Sequence, residues 1–208
     1  MKYKSVKLNK SLNRVYNLSR KNKNETILFW IFLDADRIKD YKKFITAIPQ
    51  SRNIAIIMRS KSKKNYYCYA KILLKLCKSK KFTFLIANNF KIAKAIGADG
   101  IHYSSKVNFA RKDRNLITSC SYHGHNDYKR VKQLYSNLVF ISPIYTTASN
   151  KNKKALGLIK ISLLANYLKC QYSVLGGVSN KNISSLRNRG IKSVSGLDFI
   201  CENIYYKC

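Results

Sequence analysis

Short apolar runs recur along the chain from Glu25 onward, at "TILFWIFLD", "NIAIIMRS", "FTFLIAN", "DGIHY", "LITSCS", "LVFISPIY", "YSVLGG" and "SVSGLD". Most are rich in β-branched and aromatic residues, and all are short, so each reads as a strand. Their starts fall near residues 27, 53, 82, 99, 116, 138, 172 and 193. Between most of them the apolar positions switch to a helical period. Tyr66, Tyr69, Ile72, Leu73, Leu76 and Cys77 follow this rule, as do Ile161, Leu164, Ala165 and Leu168. "SNKNISSLRNRG" offers a capping Ser179 or Asn180, an Ile183/Leu186 face and a terminal Gly190.

Eight strands alternating with helices predict an α/β protein, a compact (β/α)8 TIM barrel built from residues 25–208. A doubly wound open sheet is the alternative, but no GxGxxG follows the first strand. Residues 1–24 carry basic residues and no acid, with weak periodicity, and read as a basic N-terminal extension outside the barrel. No secretory signal is apparent, and the longest apolar run, Ile27 to Leu33, is far too short to span a bilayer.

Charge changes the picture in one respect. The chain of 208 residues has 41 Lys and Arg against 9 Asp and Glu, a net charge of +32. Such a surface attracts polyanions non-specifically, nucleic acid included. The lysines are scattered over almost every segment, and the abundance of Asn, Ile, Lys and Tyr also fits an AT-rich coding bias. Six cysteines show no CxxC and no metal-ligand spacing, which predicts reduced thiols and a cytoplasmic setting.

In a TIM barrel the chemistry gathers where strands end. Strand two ends with Arg59 and Lys61, which alternate to one side and could clamp a phosphate. Strand three ends in Asn88 and Asn89, where helix capping is the plain alternative. Gly97 and Gly100 permit a tight turn into strand four, with Asp99 as a turn-former. Strand five ends in "SCSYHGH", so Ser121 and His123 share a side at the mouth while His125 lies further out. With three histidines and no accompanying carboxylate, these do not read as a metal site. Strand six runs into "SPIYTTASNKNKKALGL", a loop of hydroxyls, amides and lysines with no carboxylate. Strand seven ends in Gly176 and Gly177, which let backbone N–H groups approach an anion.

Four of these segments, in order, resemble the thiamine phosphate synthase and TenI superfamily. "LIANNFKIAKAIGADGIHY" is similar to its "VND", helix and "GADGVHL"; "SCSYHG" to "GxSxHS/T"; "ISPIYTTASNKNKKALGL" to "GPVFPTxTKxxxxxLGL"; and "SVLGGVSNKNISSLRNRGIKSVS" to "AIGGITxENxxxxxxAGAxGVA". The resemblance implies coupling of hydroxymethylpyrimidine diphosphate to a thiazole phosphate, with release of diphosphate through a pyrimidine cation. It places Arg59, Lys61, Asn88, Ser121, Thr147 and Ser149 around the substrates, and Gly177, Ser195 and Gly196 at the thiazole phosphate. His123 matches the acid/base histidine of the TenI-like tautomerase branch, a second reading. A barrel without catalysis, acting as a binding or regulatory module, is a third.

The family's Mg²⁺ is expected, but both aspartate ligands appear replaced, by Asn89 and by Val107. The loop lysine of "TxTK" is Asn150, with Lys151 beside it, and Asp198 stands where a small residue is usual near the phosphate. Cations for a diphosphate would then come from Arg59, Lys61, Lys151, Lys153 and Lys154.

Overall fold

A computed structural model describes residues 28–34, 38–60, 65–111, 113–147, 154–168, 170–197 and 199–201. The proposed extension over residues 1–24 lies outside them, as do Lys61, Ser149, Asn150, Lys151, Lys153 and Asp198.

Eight strands pair in parallel and in chain order to close a barrel. They are β1 (Phe29–Asp34), β2 (Ile54–Arg59), β3 (Thr83–Ala87), β4 (Gly100–Tyr103), β5 (Ile117–Tyr122), β6 (Leu138–Ile141), β7 (Gln171–Leu175) and β8 (Val194–Ser195). The two-residue β8 closes the ring, with Phe29↔Val194 and Trp30↔Ser195 on one side and Val174↔Val194 on the other. The strand positions match those predicted from the sequence pattern, and the open-sheet alternative is excluded.

Strands buried on both faces explain why the apolar runs are continuous rather than alternating. Trp30, Phe32, Ala55, Ile57, Leu85, Leu138 and Phe140 fill the barrel interior. Their neighbours Ile31, Leu33, Ile56, Met58, Phe84, Ile86, Val139 and Ile141 pack outward under the helices. Each such large side chain contributes about 1.5–3 kcal/mol on burial.

The helices are α1 (Tyr41–Ala47), α2 (Tyr66–Ser79), α3 (Phe90–Ile96), α4 (Tyr128–Gln133), α5 (Gly157–Tyr167) and α6 (Ile183–Asn188). Asp40 caps α1 by accepting from the Lys43 amide at 2.8 Å. The buried stripe of α2 is Tyr66, Ala70, Leu73, Leu74 and Cys77. It differs from the periodic set by gaining Ala70 and Leu74 and losing Tyr69 and Ile72, which are exposed, and Leu76, which is half-buried. Ala70, one position on from Tyr69, is small enough to let the helix close onto the sheet.

At Gly100 a Cβ would stand 2.3 Å from the Ile117 carbonyl oxygen, so no side chain fits between β4 and β5. Asp99 is structural, accepting from the Phe84 amide at 2.8 Å. The connection from β4 to β5 contains no helix among the described residues.

Cys68, Cys77, Cys120 and Cys170 carry free thiols, as expected. Cys201 is disulfide-bonded, which departs from the expectation of reduced thiols throughout. Among the described residues, no helix is long and apolar enough to cross a membrane.

Candidate active site at the mouth of the barrel

The strand ends bring most of the sequence-predicted residues to one rim. Arg59, the last residue of β2, lies beside Asp34, the last residue of β1, with its Nε 3.4 Å from the carboxylate. Its guanidinium stands 5.8 Å from the Phe32 ring centroid. Asp34 was not singled out in the sequence, although a carboxylate closing the first barrel strand is a legible signal.

Asn88 has φ 56°, in the left-handed region that asparagine tolerates. Its Oδ1 accepts from the Ser104 amide at 2.8 Å, and its own amide donates to the His102 carbonyl, which ties the β3 end to the β4 end. Asn89 caps α3, its Oδ1 accepting from the Ile92 amide at 3.0 Å. Capping, given as the plain alternative for this pair, is the role Asn89 plays here.

Ser121, within β5, and His123, one residue past its end, face different partners. Ser121 Oγ lies 3.4 Å from Nε2 of His102, a residue of β4 that the sequence reading passed over. Only its parity, two positions after the inward Gly100, pointed to the barrel interior. His123 reaches across to the start of the β6 loop, where its Nδ1 is 2.8 Å from the Ser142 carbonyl oxygen. A carbonyl only accepts, so Nδ1 carries the hydrogen of this bond. The exposed His125 instead stacks edge-on with Tyr167.

An ion pair between a buried arginine and a half-buried aspartate holds this corner. Asp127 accepts from the His123 amide at 2.7 Å and from Arg130 Nε at 3.1 Å. The Arg130 guanidinium, buried, also donates to the carbonyls of Ser104, Val107 and Ser121. One side chain of α4 thus pins both the loop after β4 and the end of β5. The i, i+3 spacing of Asp127 and Arg130 is the only trace of this in the sequence.

Next along the same rim the β6 loop packs onto the end of β7. Ile144 and Tyr145 donate their amides to the carbonyls of Leu175 and Gly176 at 3.0 and 3.1 Å. A Cβ on Gly176 would meet Pro143 at 2.9 Å, and one on Gly177 would meet Tyr145 Cβ at 2.6 Å and the Thr146 carbonyl at 2.7 Å. Both have positive φ, 101° and 69°, so glycine is required twice over. The glycine pair therefore admits the β6 loop, beyond any role toward an anion. Thr147, half-buried, lies against Gly176. Asn182 anchors the loop after β7 by donating to the Gly177 carbonyl at 2.7 Å.

Two of the residues assigned to the thiazole phosphate do not present polar groups to the mouth. Ser195 is fully buried, its hydroxyl 2.6 Å from that of Ser173 in the barrel interior. The Gly196 amide donates to the Trp30 carbonyl at 3.0 Å. Closing the ring through a two-residue β8 takes up both groups.

The family model for thiamine monophosphate synthase matches residues 31–200. The chain belongs to the thiamine monophosphate synthase family. A thiamine-phosphate synthase of Prochlorococcus marinus subsp. pastoris is 32% identical over 126 residues, covering 58% of this chain and 36% of that protein. The thiamine-phosphate synthase of Fusobacterium nucleatum is 25% identical over 170 residues, 76% of this chain and 82% of the relative. The chain spans little more than a third of the length of the Prochlorococcus relatives it matches. In fold, it resembles the thiamine phosphate pyrophosphorylase of Pyrococcus furiosus, with a TM-score of 0.71 at 15% identity over 86% of this chain and 93% of that one.

The Mg²⁺ that the family implies does not fit the described residues. Val107 offers no side-chain oxygen, and its carbonyl accepts from Arg130. The Asn89 oxygen is engaged in capping, and no cluster of three His, Cys, Asp or Glu that could hold a metal occurs among the described residues.

Proposed function

We propose that this chain couples hydroxymethylpyrimidine diphosphate to thiazole phosphate and releases diphosphate, as a thiamine-phosphate synthase without a Mg²⁺ site. What supports this reading is that Arg59, Asn88, Ser121 and Thr147, four of the positions that likeness to the family assigns to the substrates, stand at strand ends or just beyond them on one rim. Departure of diphosphate from the pyrimidine methylene leaves a cation that the thiazole nitrogen captures. The demand on the protein is to hold the departing charge and align two rings, more than to supply a strong base. Arg59 provides a planar guanidinium for a bidentate phosphate contact, and the lysines that follow β6 in the sequence supply further positive charge.

The test is direct. Purified chain with both substrates, in EDTA, is expected to form thiamine phosphate, and Arg59→Ala to lose at least about tenfold in kcat/KM. No product with or without Mg²⁺ would rule out the synthase reading.

One observation favours a second reading. His123 Nδ1 is engaged by the Ser142 carbonyl, so Nε2 is the ring nitrogen through which this residue would exchange a proton with a ligand. That suits proton transfer on a thiazole ring, the tautomerase chemistry of TenI-like relatives. Isomerisation of thiazole phosphate without coupling, abolished in His123→Ala, would identify it. Binding of phosphorylated ligands with neither activity would leave the third reading, a module without catalysis.

A further inference from the structure

The imidazole of His102 is buried in the inner wall of the barrel, at 4% exposure. The rings of Phe32 and Phe140 meet it edge-on, with centroids 5.1 and 5.3 Å away. Its two nitrogens each face a hydroxyl of β5: Nδ1 is 3.1 Å from Ser119 Oγ, and Nε2 is 3.4 Å from Ser121 Oγ.

The direction of this chain is fixed at its inner end. Ser119 Oγ donates to the Ile101 carbonyl at 3.3 Å. A hydroxyl has one hydrogen; given to the Ile101 carbonyl, it leaves Ser119 able only to accept toward the ring, and Nδ1 then carries the proton. Burial, with the positive charges of Arg59 and Arg130 nearby, pushes the pKa of His102 down to about 3, so the ring is neutral. A neutral imidazole has a single N–H, which leaves a lone pair on Nε2. Ser121 therefore donates its hydroxyl hydrogen to Nε2.

We infer that His102 is a positioning residue that makes the Ser121 hydroxyl a hydrogen-bond acceptor at the mouth. The relay runs from Ser121 through His102 and Ser119 to the Ile101 carbonyl, and every hydrogen in it points inward. An oxygen held this way suits a ligand that brings its own N–H, such as an exocyclic amine on a heteroaromatic ring, or a ring gaining positive charge as an anionic group leaves. It does not suit a phosphate oxygen, which is itself an acceptor. Ser121 thus faces the heterocycle, while Arg59 faces the phosphates. The ligand assignment rests on the proposed function; the relay itself does not.

The experiment has two parts, both on the full chain. Long-range ¹H–¹⁵N spectra of ¹⁵N-histidine protein, free of ligand, report the tautomer of each of the three histidines. His123→Gln and His125→Gln assign the remaining signal to His102 without disturbing the buried ring. The expected result is protonated Nδ1 and unprotonated Nε2, unchanged between pH 5 and 8, with an Nε2–H signal emerging in Ser119→Ala. A charged ring at pH 7, or Nε2–H in the unmodified chain, overturns the relay. In the second part, Ser121→Ala is titrated with an aminopyrimidine diphosphate and with inorganic diphosphate. A loss of roughly five- to tenfold is expected for the first and less than about twofold for the second. Equal losses overturn the assignment of Ser121 to the heterocycle. If neither ligand binds the unmodified chain, the proposed function fails, and the tautomer alone decides the relay.

Discussion

The two sides of the barrel mouth are held rigid by opposite means. On the β4–β5 side the chain is irregular after Tyr103, and a single buried guanidinium, Arg130, gathers the carbonyls of Ser104, Val107 and Ser121 with the Asp127 carboxylate. On the β6–β7 side, among the described residues, the contacts are steric and backbone ones. There, two glycines with positive φ let Pro143, Tyr145 and Thr146 lie directly on the backbone. The difference teaches which change each side can tolerate. A polar lock fails when its shared donor is removed, since the groups it gathered lose a hydrogen bond at once; a steric lock fails when a methyl is added.

The largest effect follows from breaking the polar lock. Arg130→Ala removes a donor shared by the Asp127 carboxylate and the carbonyls of Ser104, Val107 and Ser121, leaving Asp127 the His123 amide and Ser104 the Val107 amide, and is expected to lower unfolding stability by about 2–4 kcal/mol in urea titrations. A loss below about 1 kcal/mol would mean that the loop after β4 is held by something else. The steric lock should give less. Gly177→Ala forces a Cβ against Tyr145 and strains the backbone, for about 1–3 kcal/mol, with the β6 loop displaced in a structure of the variant. A neutral result would show that the loop yields freely.

Acid sharpens the comparison, because only the β4–β5 side contains a buried histidine. The His102 pKa is lowered in the folded chain, from 6.5 to about 3. The unfolded chain therefore binds the extra proton first as pH falls. The contribution is fully present above pH 6.5 and is lost progressively between 6.5 and about 3. Going from pH 6.5 to 5 should cost roughly 1.5 kcal/mol through this group. That pH dependence should be absent in His102→Gln, whatever its absolute stability. The smallest effect on folding is expected at Arg59. Its ion pair with Asp34 is half-exposed on the arginine side, so Arg59→Ala should change stability by less than about 1 kcal/mol while weakening ligand binding.

The barrel was legible because β1, β2, β3 and β6 are apolar on both faces and end in rim residues of different chemistry, so runs such as "NIAIIMRS" and "LVFISPIY" announced both a strand and its end. Arg59, Ser121 and the glycine pair were legible for the same reason. His102 was not, since a histidine inside "GIHY" looks like one more position of a buried strand until β5 supplies Ser119 and Ser121 beside it. Arg130 was hidden in a chain crowded with basic residues, where nothing local separates a buried guanidinium from a solvated one. Ser195 and Gly196 were placed by likeness to the family; their partners, Ser173 and Trp30, lie on other strands and carry no local signal.

The account's central claim is that protein cations, rather than Mg²⁺, meet the charge of the leaving group. Calorimetric titration of hydroxymethylpyrimidine diphosphate into the chain, with Mg²⁺ and again with EDTA, tests it most directly. The affinity should change by less than about tenfold, or ~1.4 kcal/mol, between the two conditions. Binding that vanishes in EDTA would contradict the account and require a metal site at this mouth.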